Sequence, residues 1–277
     1  MKILAIIGAS KNGNTTEIVK FFEKQLKNND NSIDFEYLYL SDYPINFCVG
    51  CHNCIFVGEN KCPEYSKVKV IEDKMLLADG IVLATPGYMF SMSGIMKNFL
   101  DHVAYNCHRP KYFGKKAFIL ASATKWQAKG IFIPTKTWAS GAGFEVSSTT
   151  YAEMAPFPLK TKEIEKIKSK LSKSALKFHK ELTNKKELKP DMGSIAVFYI
   201  FRTFCKIMPN ILKADYAYFN EKNAYDSKTK WFTKAKISNL KLIMAKFMEN
   251  QVKKSISKVI DMDKLKEVNG GYKNKLI

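Results

Sequence analysis

Through the first 150 residues, short apolar runs alternate with segments of helical periodicity. Lys2–Ile7 (KILAII) is apolar almost throughout, the mark of a strand covered on both faces in a parallel sheet. Asn14–Lys27 follows with Ile18, Phe21, Phe22 and Leu26 at helical spacing, and Ile33–Leu40 alternates as a second strand. Val68–Ala78 predicts a helix with Val68, Ile71, Met75 and Leu76 on one side. Gly80–Thr85 reads as a third strand, Gly94–Ala104 as a helix, Lys116–Ser122 as a fourth strand, Lys125–Ser140 as a helix and Phe144–Tyr151 as a fifth strand. This alternation implies right-handed crossovers and a five-stranded parallel sheet with helices on both faces. In such a three-layer α/β sandwich the ligand site lies at the carboxyl ends of the strands.

Pro156 and Pro158 interrupt the alternation. Beyond them Ile164, Ile167, Leu171, Ala175, Phe178 and Leu182 recur at three- and four-residue steps, predicting the last helix of the sandwich. Residues 190–210 predict a strongly apolar helix ending at Pro209, and Ile237–Ile260 a third one in this half. The chain therefore divides into a flavodoxin-like three-layer sandwich over residues 1–185, with a cysteine-rich insertion at 46–66, and a helical C-terminal extension over 186–277. In free helices Phe198, Phe201, Phe204, Phe247 and Met248 would expose large apolar faces. Residues 190–262 are accordingly expected to pack on the first region or across a dimer interface, lysines outward.

Charge sharpens this division. The chain has 277 residues and a net charge of +19. Residues 1–155 hold 17 Lys and Arg against 14 Asp and Glu, whereas residues 156–277 hold 28 against 12. The lysines are interspersed with acids, and no basic cluster interleaved with aromatics occurs, so nucleic acid is not the expected partner. A second reading remains, in which the basic helices of a redox-sensing or binding module contact an anionic partner. The longest apolar run, Ile195–Phe201, has seven residues, well short of the ~18 needed to cross a bilayer. Ile3–Ile7 is too short for a signal-peptide core, and a cytoplasmic protein is expected.

Between the first strand and its helix lies GASKNGNTT. Ser10, Asn12, Asn14, Thr15 and Thr16 offer hydroxyls and amides, and Gly13 lets the backbone curl. At a helix start the free N–H groups and the dipole favour a phosphate. Neither the P-loop ending nor GxGxxG is present, and neutral donors suit a phosphate monoester such as that of FMN. The same composition would also serve as an ordinary helix-capping turn. The third strand leads into TPGYMFSMSGIMKNFLDH. Here Thr85, Pro86, Tyr88, Ser93, Gly94, Lys97, Phe99 and Asp101 match a Thr-Pro-x-Tyr … Ser-Gly-x-x-Lys-x-Phe-x-Asp pattern, and the sequence resembles the NAD(P)H-dependent FMN reductases of flavodoxin fold. The resemblance covers about residues 1–155. It implies a flavin-dependent oxidoreductase, with the first loop on the FMN phosphate and Thr85, Pro86, Gly87, Tyr88, Met89 and Phe90 along the isoalloxazine ring. Ser122, Ala123 and Trp126, after the fourth strand, would close the site. It also implies NAD(P)H as electron donor, a small molecule or electron-transfer protein as redox partner, and a homo-oligomer. His102 stands where relatives often carry arginine.

CVGCHNCIFVGENKC places Cys48, Cys51, Cys54 and Cys62 between the second strand and the next helix. A cytoplasmic location disfavours disulfides, and structural zinc usually takes two separated Cys-x-x-Cys knuckles. C-x2-C-x2-C is a spacing that wraps three thiolates round one cubane, and Cys62, before Pro63, can close the fourth corner. Gly50 and Gly58 supply the necessary backbone freedom. Redox-active or buried thiols, and zinc, remain alternative readings of the residues. The arrangement resembles the iron–sulfur flavoprotein branch of the same group, which implies a [4Fe–4S] cluster within electron-transfer reach of FMN. Cys107 and Cys205 read as small buried hydrophobes, His52 as a solvent-facing loop residue, and His108 and Arg109 as helix-end cations. No Ser/His/Asp set or carboxylate pair stands out.

Overall fold

The computed structural model describes residues 1–154, 156–184, 187–268 and 271–275; the boundary expected at 185 and 186 falls outside them. The chain divides into two compact units, Met1–Cys48 with Ser66–Lys185, and Val49–Tyr65 with Lys186–Ile277.

The first unit runs β1 (Lys2–Ile7), α1 (Asn14–Asn29) and β2 (Asp34–Tyr39) before the cysteine stretch, which holds the four-residue α2 (Asn53–Phe56) of the second unit. It resumes with α3 (Tyr65–Leu77), β3 (Gly80–Tyr88), β4 (Ser91–Met92), α4 (Gly94–His102), β5 (Lys116–Ser122), α5 (Lys125–Gly141), β6 (Glu145–Ala152) and α6 (Thr161–Thr183). The five long strands are parallel in the order β2-β1-β3-β5-β6, while β4 pairs antiparallel with β3. In register, Ile7 pairs with Tyr39 and Ala84, Pro86 with Ser122, and Ser122 with Ala152. The ends of β1, β3, β5 and β6 therefore meet at one edge.

Period-two alternation sends the strand side chains into two cores. Leu4, Ile6, Ile81 and Leu83 pack with Ile71 and Met75 of α3, Phe99 of α4 and Trp138 of α5. Ile3, Ala5, Ile7, Val82 and Phe118 pack with Phe22 of α1 and Phe178 of α6. Phe118 is the hinge of that second layer, stacked on Phe22 at 4.6 Å and tilted against Phe178 at 5.3 Å between ring centres. Each such fully buried side chain contributes about 1.5–3 kcal/mol.

In the second unit α7 (Met192–Ile207), α8 (Lys213–Glu221), α9 (Asn239–Val259) and α10 (Met262–Glu267) follow one another. Its core is aromatic: Phe198 of α7 lies 4.7 Å from Phe232, 5.6 Å from Trp231 and 5.9 Å from Phe219. Helix α9 lies along α7 and turns Leu242, Ala245 and Ile256 inward. Within the single chain Phe247 and Met248 are exposed. They lie on a second apolar stripe of α9, on the side away from α7.

Candidate functional site

At the carboxyl edge of the sheet a cavity of about 610 Å³ opens between the turn after β1, the end of β3 and the segments after β5 and β6. That volume is in the range of a cofactor pocket. Ser10, Gly13, Asn14, Thr15, Pro86, Gly87, Tyr88, Ser122 and Ala123 line it. Of the lining residues Glu153 alone is charged, and its carboxylate accepts the Lys125 N–H at 3.0 Å.

Gly13 is the N-cap of α1, and its carbonyl accepts the N–H groups of Thr16 (3.0 Å) and Glu17 (3.2 Å). As a glycine, the N-cap residue supplies no side-chain oxygen to this helix start. The first-turn dipole therefore faces the cavity without the acceptor that Ser, Thr, Asn or Asp ordinarily supplies. Lys11, the one cation of the turn, is drawn instead to Asp42 at 2.8 Å. Thr16 is buried, its hydroxyl donating to Ser10 O at 2.9 Å, so it shapes the turn rather than lining the cavity. Asn14 ties the turn to the far side of the site by donating to Met154 O at 3.0 Å. Asn12 is exposed and outside the lining.

The Thr-Pro-Gly-Tyr segment does not turn away from the sheet after Thr85. It continues β3 through Tyr88, and the reversal comes at Met89 and Phe90, whose φ values are +44° and +58°. Pairing of Gly87 with Met92 and Tyr88 with Ser91 closes a two-residue hairpin, and positive φ at both tip positions is the signature of a type I′ turn. Neither residue is of the type that adopts this conformation readily. What holds them is α5: a Cβ at Gly130 would come within 1.7 Å of Phe90 O, so the helix backbone itself seats the tip. Met89 and Phe90 are exposed and outside the cavity lining, as is Trp126, which at 83% exposure is neither core nor wall.

Thr85 is likewise a brace. Its hydroxyl accepts the Ser93 N–H at 3.0 Å, and Ser93 Oγ donates to Gly8 O at 2.6 Å while capping α4. One buried hydroxyl pair thus ties the ends of β1 and β3 to the start of α4. Sequence reasoning missed Gln127. Its Nε2 donates to Gly87 O at 3.0 Å, and its Oε1 accepts the Thr124 N–H at 3.0 Å. The Thr124-to-Gln127 spacing is a capping box visible in the sequence. Met154, Phe157 and Leu159, also in the wall, carry no such signal.

The cysteine stretch leaves the first unit through a clamp on α4. Asn98 Oδ1 accepts the Cys48 N–H at 3.0 Å, and His102 Nε2 donates to Asn46 O at 2.8 Å. His102 so acts as a buried backbone anchor. Within the second unit Gly50, His52 and Gly58 take φ of +65°, +58° and +146°, which coils the loop around α2. Cys51 is exposed, and Cys54 and Cys62 are half-buried. Among the described residues no three His, Cys, Asp or Glu side chains stand close enough to hold one metal ion. Cysteine sulfur is a donor that iron and zinc both take, with loss of the thiol proton on binding.

Of two further residues, one departs from its expected surroundings and one, Cys107, packs against the core as expected. Arg109 is buried, its guanidinium 5.3 Å from the Tyr105 ring, and not a simple helix-end cation. Cys107 is half-buried, and burial pushes its thiol up to about 11, which keeps it protonated.

The NADPH-dependent FMN reductase family matches residues 1–151, more than half the chain. An iron–sulfur flavoprotein of Archaeoglobus fulgidus is 25% identical over 80% of this chain and 99% of its own length. One from Clostridioides difficile is 28% identical over 64% of this chain and 77% of its own length. Among solved structures, a flavone reductase superposes with a TM-score of 0.51 at 16% identity, covering 66% of this chain and 64% of that one. The match across every strand that builds the cavity places this chain in the NADPH-dependent FMN reductase family, as a flavin-dependent oxidoreductase of flavodoxin-like fold.

Proposed function

We propose that the chain is an FMN-dependent NAD(P)H oxidoreductase whose FMN phosphate is held by the turn Ser10–Thr16 and whose ring lies against Pro86, Gly87, Tyr88, Ser122 and Ala123. The observation that carries this is the start of α1, which brings no side-chain cap and opens into the 610 Å³ cavity. A phosphate there takes the acceptor role that the sequence leaves vacant. FMN in this place supplies hydride acceptance and electron return in one- or two-electron steps. The protein's part is orientation: Gln127 fixes the Gly87 carbonyl, Gly130 seats the hairpin, and Tyr88 stands at the mouth, where donor and acceptor enter.

Cys48, Cys51, Cys54 and Cys62 are assigned to a [4Fe–4S] cluster. The support is the C-x2-C-x2-C spacing and the similarity to iron–sulfur flavoproteins across most of the chain. Such a cluster supplies a one-electron port. NAD(P)H is the proposed donor, a small molecule or electron-transfer protein the acceptor, and a cytoplasmic homo-oligomer the working form.

Flavin content and iron content of anaerobically purified protein test the two assignments separately. Thr15→Glu sets a carboxylate against the phosphate and should expel the flavin; full retention of yellow colour would refute the phosphate site. Replacing any one of the four cysteines by Ala should remove iron and leave FMN in place. Wild type that stays iron-free after reconstitution would instead favour zinc or redox-active thiols, which metal analysis and thiol titration separate.

A further inference from the structure

The second unit carries an apolar surface that its own core does not cover. Helix α9 has two apolar stripes. One packs on α7; the other is exposed, with Leu240 at 67%, Ile243 at 65%, Met244 at 47% and Phe247 at 62%. Spacing of three, one and three residues puts these four on one face over two turns. Lys241 and Lys246 border the stripe, and Lys254 and Lys258 continue the same face on the following turns. The helix holds five lysines and a single acid, Glu249. That acid is turned inward, accepting from Arg202 at 3.0 Å and from Thr203 at 2.9 Å. Within α9 the charged residues that border or continue this apolar strip are all lysines, the one acid being turned inward.

We propose that this face of α9 docks on an anionic lipid bilayer. The helix would lie in the plane of the headgroups, with Leu240, Ile243, Met244 and Phe247 at the acyl boundary and Lys246, Lys254 and Lys258 against lipid phosphates, while Lys241 donates to Pro190 O at 2.8 Å. Charge selects this occupant. A second copy packed α9 to α9 would bring the same lysines together with no outward acid of that helix to offset them. A nucleic acid would take the lysines and leave four apolar side chains in water. An anionic membrane complements both features, as amphipathic basic helices do generally. No helix among the described residues is long and apolar enough to cross a membrane, so the contact is peripheral. This inference rests on α9 alone and stands whether or not the cysteines hold a cluster.

Flotation of the full chain with vesicles tests it. The protein should rise with phosphatidylcholine vesicles containing phosphatidylglycerol and stay behind with pure phosphatidylcholine, and high salt should release it. Replacing Lys254 or Lys258 by Gln should weaken partitioning about fivefold each. The double variant Leu240→Gln/Phe247→Gln alters only exposed positions, so it should melt like wild type and no longer float. Absence of flotation at low salt overturns the proposal, as does undiminished flotation of the double variant. A change of oligomeric state in that variant, with wild type unbound to vesicles, would assign the face to a second copy. DNA binding indifferent to the apolar substitutions, without flotation, would assign the lysines to a polyanion.

Discussion

Asn98 accepts the backbone N–H of Cys48 at 3.0 Å with its Oδ1, while its Nδ2 donates to the carbonyls of Ile45 (3.1 Å) and Asn46 (3.2 Å). A single buried carboxamide so satisfies three backbone groups of the arm that leads into the cysteines, one turn before His102 anchors the same arm. Only a group that donates and accepts at once can do this. Asn98→Asp removes both donors and sets a carboxylate against two carbonyl oxygens. We expect a loss of about 2 kcal/mol in urea denaturation, since each unmade buried hydrogen bond costs about 1–3 kcal/mol. Hydrogen exchange should speed up at the Cys48 amide. An unchanged exchange rate there would show that the arm is held by other means.

Gly130 makes the second prediction. Alanine is the better helix former by about 1 kcal/mol. Yet its Cβ would fall 1.7 Å from Phe90 O, so the hairpin tip or α5 must shift. Gly130→Ala should therefore keep its helix content and weaken flavin binding about tenfold, through displacement of Tyr88 and Gly87 at the other end of the hairpin. Titration of apo protein with FMN, followed by quenching of flavin fluorescence, reads this directly. Affinity equal to wild type would mean that the hairpin does not set the ring's place.

Much of this architecture is legible in the sequence because the central strands β1, β3 and β5 are buried on both faces. KILAII, GIVLAT and KAFILAS admit few other readings, and the elements they anchor come within a few residues of their expected bounds. The turn after β1 is legible for a related reason: its conformation is local. The hairpin is harder. Met89 and Phe90 bear none of the Asn, Asp or Gly signals of a tight reversal, and their tip lies against the backbone at Gly130, forty residues on. Thr16 and Thr85 carry the right side chains for a ligand but spend their hydroxyls on Ser10 and Ser93. Which polar groups face a cavity is decided by such tertiary partners. The four-residue α2 escaped notice because it is too short to display a period.

Glu72 supports a third prediction. This carboxylate on α3 is buried, accepting from Tyr105 Oη at 2.5 Å, Asn106 Nδ2 at 2.7 Å and Tyr112 Oη at 3.3 Å, with Lys111 Nζ at 2.9 Å. It ties α3 to the connection between α4 and β5. Burial, then the charge of Glu72, pushes the Tyr112 phenol far up, so it remains a donor at all working pH. Glu72→Ala would strand two phenols, an amide and an ammonium around a cavity, a loss of about 3–5 kcal/mol. Glu72→Gln keeps one acceptor and should lose less. Chemical denaturation of both variants checks the order. Equal stability of Ala and wild type would show that water replaces the carboxylate.

The last prediction concerns acid. Burial alone would raise the Glu249 carboxyl, but the Thr203 hydroxyl and the Arg202 guanidinium, followed by Lys253, outweigh it and hold the group below its ordinary 4.5. Arg202 engages both carboxylate oxygens, at 3.1 and 3.0 Å, which joins α7 to α9. A carboxyl depressed in the folded state binds fewer protons there than in the unfolded chain. Its stabilisation is therefore complete above about pH 5 and is lost as pH falls through the folded value. Exposed pairs such as Lys166–Glu163 contribute little by comparison. Hydrogen exchange in the peptide covering Met192–Ile207, followed from pH 6 down to about pH 3 and corrected for intrinsic rates, should show protection falling off at the acid end. Glu249→Gln should be less protected at pH 6 and show a flatter profile, because the titrating group is gone. If wild type and variant lose protection in parallel, the acid sensitivity of α7 lies with other carboxylates.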